Sequence, residues 1–180
     1  MGKILVALIV VSAILAGGGM YYLQVYAFYD RIDPASPEAA LTFTRTDGTT
    51  APLPVTDFQG IDSNSSPIRF RACARLAAPL PDTAQAHPAP VPLTAPGWFD
   101  CFDAAAIGAA LERGEAAAWL SSEHTPWGVD RVIAAFPDGR IFVWPQINAC
   151  GKELFDGKAL PEGCPPPPAR PERPPTSTGY

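Results

Sequence analysis

The chain has 180 residues, a net charge of −5 and an isoelectric point near 4.9, which leaves no basic face for a phosphate backbone, so nucleic acid is excluded as a partner. Its 22 prolines far exceed the usual ~5% and force much of the chain to be extended or irregular. Once an apolar N-terminus and a proline-rich C-terminus are set aside, about 130 residues remain, enough for one domain with a modest core.

From Ile4 to Leu23 the chain runs 20 residues without a charge, enough at ~1.5 Å per residue to cross a ~30 Å hydrocarbon core. Tyr21, Tyr22, Tyr26, Phe28 and Tyr29 stand where an aromatic belt meets the interface, and Asp30, Arg31 and Asp33 end the apolar run. A cleaved signal peptide is the alternative, with Lys3 as n-region and Ala16 and Gly18 as a small-x-small site, but its apolar core should stop after ~7–15 residues. The expectation is therefore a retained anchor over residues 1–30. Lys3, the only charge before the span, places the N-terminus in the cytoplasm and the remainder across a bacterial inner membrane, in the periplasm. Arginine outnumbers lysine and alanine is abundant, a bias resembling GC-rich bacterial coding. Ala13, Gly17, Gly18 and Gly19 form a small-residue patch that would admit a neighbouring helix, or simply reflect the tolerance of such helices for glycine.

Residues 31–40, with Pro34 and Pro37, are expected to be a stiff linker. A domain over residues 41–163 follows. Leu41, Phe43 and Arg45 alternate with threonines before Asp47-Gly48, predicting a strand paired through that turn with Val55–Phe58, where Pro52 and Pro54 limit the second strand to an edge. Asn64-Ser65-Ser66 matches a glycosylation acceptor but is expected to be a plain loop. Ile68, Phe70, Ala72, Ala74 and Leu76 alternate with Arg69, Arg71, Cys73 and Arg75, the clearest strand in the chain. Its three arginines could meet an anionic partner, although the expected role is a solvated sheet face.

Residues 77–97 carry no periodicity and are expected to be either an ordered surface crossing or a mobile loop. Asp103 then caps a short helix through Leu111 that Gly114 stops. Ala116–Leu120 reads as a strand, and Val129–Phe136 with Ile141–Trp144 flank the turn Pro137-Asp138-Gly139-Arg140 as a hairpin apolar on both faces, hence central. The fold class is α+β: an N-terminal transmembrane helix, a small antiparallel sheet with one short helix, and a proline-rich tail over residues 164–180.

Cys73, Cys101, Cys150 and Cys164 lie 28, 49 and 14 positions apart, without the C-x-x-C of zinc, thioredoxin-type or haem sites. Two disulfides are expected; three connectivities are open, with Cys73–Cys101 and Cys150–Cys164 preferred. His87 and His124 lack second ligands at regular spacing, and Ser121, Ser122, His124 and Asp130 lack a nucleophile elbow. Glu112, Glu115 and Glu123 read as cap and surface residues, and no phosphate-binding loop occurs. No catalytic, metal, cofactor or nucleotide site is expected. Trp98, Phe99, Trp119, Trp127 and Trp144 should be mostly core, with one or two left as interface anchors.

Trp98-Phe99-Asp100-Cys101-Phe102-Asp103, Val129-Asp130-Arg131-Val132 with Pro137-Asp138-Gly139-Arg140, and Gln146-Ile147-Asn148-Ala149-Cys150-Gly151 together resemble an uncharacterised bacterial family of single-pass membrane proteins. The resemblance spans nearly the whole chain and brings no activity or site with it. The expected function is that of a non-catalytic accessory or assembly subunit of an integral inner-membrane complex, of the respiratory kind. Its contacts would be the glycine patch in the lipid bilayer and the tail, where Pro165, Pro168, Arg170, Arg173 and Tyr180 offer a preformed extended segment. An independent membrane-tethered binding or sensor module is the alternative, and a pocket lined by tryptophans would favour it.

Overall fold

The computed structural model describes residues 2–27 and 29–168. Helix α1, Gly2–Tyr22, buries none of its residues and continues through a π-helical turn, Leu23–Ala27. The helix over Gly2–Tyr26 is long and apolar enough to cross a membrane.

The domain beyond is α+β. Strands β1 (Asp30–Ile32), β4 (Val55–Asp62), β5 (Arg71–Leu76), β6 (Ala117–Ser122), β7 (Val129–Ala135) and β8 (Arg140–Ile147) build a six-stranded antiparallel sheet in the order β1-β4-β5-β8-β7-β6. Strands β2 (Thr42–Thr44) and β3 (Thr50–Pro52) form a separate hairpin. Helices α2 (Ala104–Glu112) and α3 (Ala149–Phe155) complete the fold.

The large sheet is buried on both sides. Ile133, Ile141, Val143, Ala72 and Ala74 face the β2–β3 hairpin, where Leu41, Phe43, Ala51 and Leu53 cover them. Their strand neighbours Val132, Ala134, Phe142, Trp144 and Cys73 face the other way, against Phe99, Phe102 and Ile107. The β7–β8 pair supplies both faces because it is apolar at successive positions, and it lies inside the sheet between β5 and β6.

Five expectations change. The turn at Asp47-Gly48 pairs β2 with residues 50–52 rather than with Val55–Phe58. Gly48 takes φ +81° and Asp47 accepts the Thr49 N–H at 2.9 Å, so the return strand begins immediately after the turn. Val55–Asp62 is thereby released to pair β1 and β5, inside the sheet rather than at its edge. The stretch 31–40 is part of the fold rather than a stiff linker outside it: Arg31 and Ile32 lie in β1, Pro37–Ala39 forms a 3-10 turn, and Ile32 and Ala39 enter the core. Arg71 is not solvated but only 4% exposed. A third helix, α3, joins the expected one; the Asn148 side chain caps it by accepting the Gly151 N–H at 2.9 Å.

Helix α2 forms as its sequence predicts. The Asp103 carboxylate accepts the Ala105 and Ala106 N–H groups at 3.0 Å each, and Gly114 ends the run at φ +71°.

Candidate functional site

The membrane-type helix does not simply lead into the domain; it is bonded to it. The Trp98 indole N–H donates to the Val25 carbonyl at 2.7 Å. Val25 lies in the π-helical turn, whose wider winding leaves carbonyls free for such a donor. The Trp98 ring packs 6.4 Å from Tyr26, nearly parallel, and 6.3 Å from Tyr29, edge to face. Tyr26 in turn meets Tyr22 and Tyr21. The Arg31 guanidinium lies 5.1 Å from the Trp98 ring centre, and Arg69 lies 5.3 Å from that of Tyr29. This aromatic knee is where the apolar helix and the domain become one unit.

Arg71 holds the knee from behind. Its guanidinium donates to the carbonyls of Ile68 (2.8 Å), Phe70 (2.7 Å), Leu93 (2.9 Å) and Thr94 (3.1 Å). These bonds tie the irregular segment before Trp98 to strand β5, and the disulfide Cys73–Cys101 ties it again beyond Trp98. Burial pulls the Arg71 pKa down to about 10, with Tyr29 and Asp62 opposing the shift, so the side chain stays charged at neutral pH. Arg131, on the hairpin side, is likewise lowered by burial and rests 4.0 Å from the Phe70 ring centre.

The proline-rich crossing over residues 77–97 is an ordered one, pinned at several points. It makes bridges at Ala84 with Arg45 and at Ala86 with Trp119, and the Gln146 amide bonds the Ala89 carbonyl and the Val91 N–H.

The second disulfide, Cys150–Cys164, joins α3 to the start of the tail. Here the His124 Nδ1 accepts the Gly128 N–H at 3.1 Å, and the Asn148 amide donates to Asp130 at 2.7 Å. The Trp127 indole donates to the Pro165 carbonyl at 3.3 Å. Gly128 and Gly151 abut so closely that a Cβ on Gly151 would collide with the Gly128 backbone. His124, Asp130 and Asn148 are thus committed to holding a loop against a helix. Ser121, of the nominal triad, is buried and donates to the Thr42 carbonyl at 2.7 Å.

A concavity of about 580 Å³ lies at the other end of the sheet between residues 76–80, 114–117 and the β7–β8 turn, with Trp119 and Phe136 in its wall. It is an open groove with one tryptophan, not a closed pocket lined by several. Its two carboxylates are engaged: Glu115 bonds Arg113 and Asp138 bonds Arg140, which lower both pKa values. Among the described residues no three His, Cys, Asp or Glu side chains stand together as metal ligands.

The residues picked from sequence fall in separate places. Ala13, Gly17, Gly18 and Gly19 are exposed on α1, and a Cβ at any of the three glycines would meet nothing within 4 Å. All four cysteines are paired. Pro165 and Pro168 are exposed, whereas Arg170, Arg173 and Tyr180 lie outside the described residues. Of the tryptophans, Trp144 is fully buried, and Trp98, Trp119 and Trp127 are half-buried. Sequence reasoning missed the pairing of Trp98 with Arg31 and Val25, and the inward turn of Arg71. The signal available was the aromatic pair Trp98-Phe99 beside Cys101; nothing local marks Arg31 as its partner.

Residues 40–165 match the model of a family of unknown function, DUF6446, and the chain belongs to that family. The matched stretch takes in the hairpin, the covered sheet and both disulfides but stops short of α1 and β1. No curated protein and no solved structure matches the chain.

Proposed function

We propose that this protein is a non-catalytic accessory or assembly subunit of a larger bacterial inner-membrane complex, of the respiratory kind. Its N-terminus would be cytoplasmic, and the disulfide-bonded domain would be held against the periplasmic surface. The observation that carries this is the Trp98–Val25 hydrogen bond at the foot of the apolar helix. A module that merely needs confinement to a surface works on a free linker. A domain bonded to its own helix keeps a set height and rotation over the bilayer, which is what a subunit needs to meet an integral partner in lipid and above it together. The two disulfides suit an oxidising compartment. The bare small-residue patch on α1 suits close approach by another helix, and two modest contacts joined in one rigid chain reinforce each other.

Mild detergent solubilisation and affinity purification of the tagged chain, with and without crosslinking, tests the proposal. A stoichiometric integral-membrane partner should be recovered, and Trp98→Ala should reduce that recovery. Recovery of the chain alone, even after crosslinking, overturns it. In a second reading, an independent tethered binding module, the groove beside Trp119 would take the ligand. That reading predicts partner-free chain and a Trp98→Ala variant with unchanged behaviour.

A further inference from the structure

The guanidinium groups at the aromatic knee are arranged as a binding site rather than as ion pairs. In β1, Arg31 stands opposite Ile61 of β4, and Ile61 points into the core on the Trp98 side of the sheet. Its neighbour Asp30 stands opposite Asp62. Successive residues of a strand face opposite sides, so the pleat sends both carboxylates to the hairpin side and leaves Arg31 with Trp98. Arg69 sits beside it over Tyr29, and Tyr29 meets Trp98 edge to face at 6.3 Å. Among the described residues, neither Arg31 nor Arg69 has a carboxylate within ion-pairing distance, although Asp30, Asp33 and Asp100 are all near in sequence to Arg31 or Trp98. A guanidinium stacked on a ring keeps its N–H edge free for an oxyanion.

The height of the site names the ligand. Helix α1 has 21 residues, about 31 Å at ~1.5 Å per residue, the thickness of a hydrocarbon core. Tyr21, Tyr22 and Tyr26 then fall at the interface, and Arg31 and Arg69 just beyond it, in the ~5–7 Å layer occupied by headgroup phosphates. We propose that Arg31 and Arg69, held over Trp98 and Tyr29, form a binding site for the phosphate of an anionic phospholipid headgroup at the foot of the helix. This rests on the membrane-spanning reading of α1. The lipid would register the domain against the bilayer while the Trp98–Val25 bond registers it against the helix.

The full-length chain, reconstituted into phosphatidylcholine nanodiscs, can be probed with dibrominated phosphatidylglycerol and dibrominated phosphatidylcholine at equal mole fraction. Tryptophan quenching should reach its midpoint at a several-fold lower fraction of the anionic lipid, and Trp98→Phe should abolish that difference. Arg31→Gln and Arg69→Gln should each shift the midpoint about fivefold, the equivalent of ~1 kcal/mol for a basic residue near an anionic surface. Arg140, stacked over Phe136 and Phe142, pairs with Arg75 at the opposite end of the sheet, so Arg140→Gln should change nothing. Relief of quenching by millimolar inorganic phosphate would mark the site as one for a free phosphate and overturn the lipid assignment. Equal quenching by the two lipids, with no effect of either arginine variant, overturns the site while leaving the anchor intact. A chain released from vesicles by alkaline extraction overturns the anchor and the site together.

Discussion

The two sides of the six-stranded sheet are covered by different means. On one side lies a regular hairpin, β2–β3, whose strands pair with each other and which contributes Phe43, Ala51 and Leu53 to an apolar contact. On the other lies α2 with an irregular, proline-rich segment that has no ladder of its own. Charge and covalent bonds hold that segment: the Leu93 and Thr94 carbonyls on Arg71, the Cys73–Cys101 disulfide and the Asp103 cap. A regular element is positioned by its pattern, whereas an irregular one must be fastened point by point. The fastened side is the one that carries Trp98 and the helix junction, because a segment free of ladder constraints can turn an indole toward a helix carbonyl.

The largest effect should come from the regular side. Phe43→Ala opens a cavity in the hairpin contact and should cost about 3–5 kcal/mol by chemical denaturation, with amide exchange around residues 93–102 no faster than the global opening requires. Selective loosening of 93–102 would show that the two covers are not separately held.

On the fastened side, removing the double cysteine pair Cys73 and Cys101 by alanine should cost about 3.6 kcal/mol, against about 3.0 for Cys150 and Cys164, from the entropy of closing loops of 28 and 14 residues. The sharper contrast is spatial. The first variant should speed amide exchange around Trp98, and the second only at α3 and the Trp127 loop. Identical exchange patterns would break the distinction.

Arg71→Met keeps the apolar stem but leaves the carbonyls of Ile68, Phe70, Leu93 and Thr94 without their donor, a loss of about 3 kcal/mol. Trp98 emission should shift to the red in this variant and stay unchanged in Phe43→Ala. A blue-shifted or unchanged Trp98 would refute the role given to Arg71.

The smallest effect belongs to Asp62, at the margin of the hairpin side. Burial raises its carboxyl above the ordinary 3.8, although the Ser63 N–H and Arg131 oppose the shift. Between 3.8 and the raised folded value the native chain keeps a proton that the unfolded chain has lost, so stability falls as pH rises through that window. The stability of the parent relative to Asp62→Asn, from denaturation midpoints measured across it, should decline as pH rises; parallel slopes would exclude Asp62 as a source.

The apolar run over residues 4–23, the alternation around β5 and the two-faced hairpin β7–β8 were legible because each is a local periodicity that only one kind of element can bury. The Asp103 cap and the Gly114 stop were legible because their partners lie within a few residues. The pairing of β4, the entry of residues 30–32 into the sheet and the burial of Arg71 were not, since each depends on which segments arrive from far along the chain. The three arginines in and just before β5 show the limit plainly. Alternation placed Arg69, Arg71 and Arg75 on one face, but only the tertiary structure made that face an interior at Arg71, an aromatic perch at Arg69 and solvent at Arg75, because a sheet's pleat sets direction and its covering layers set environment.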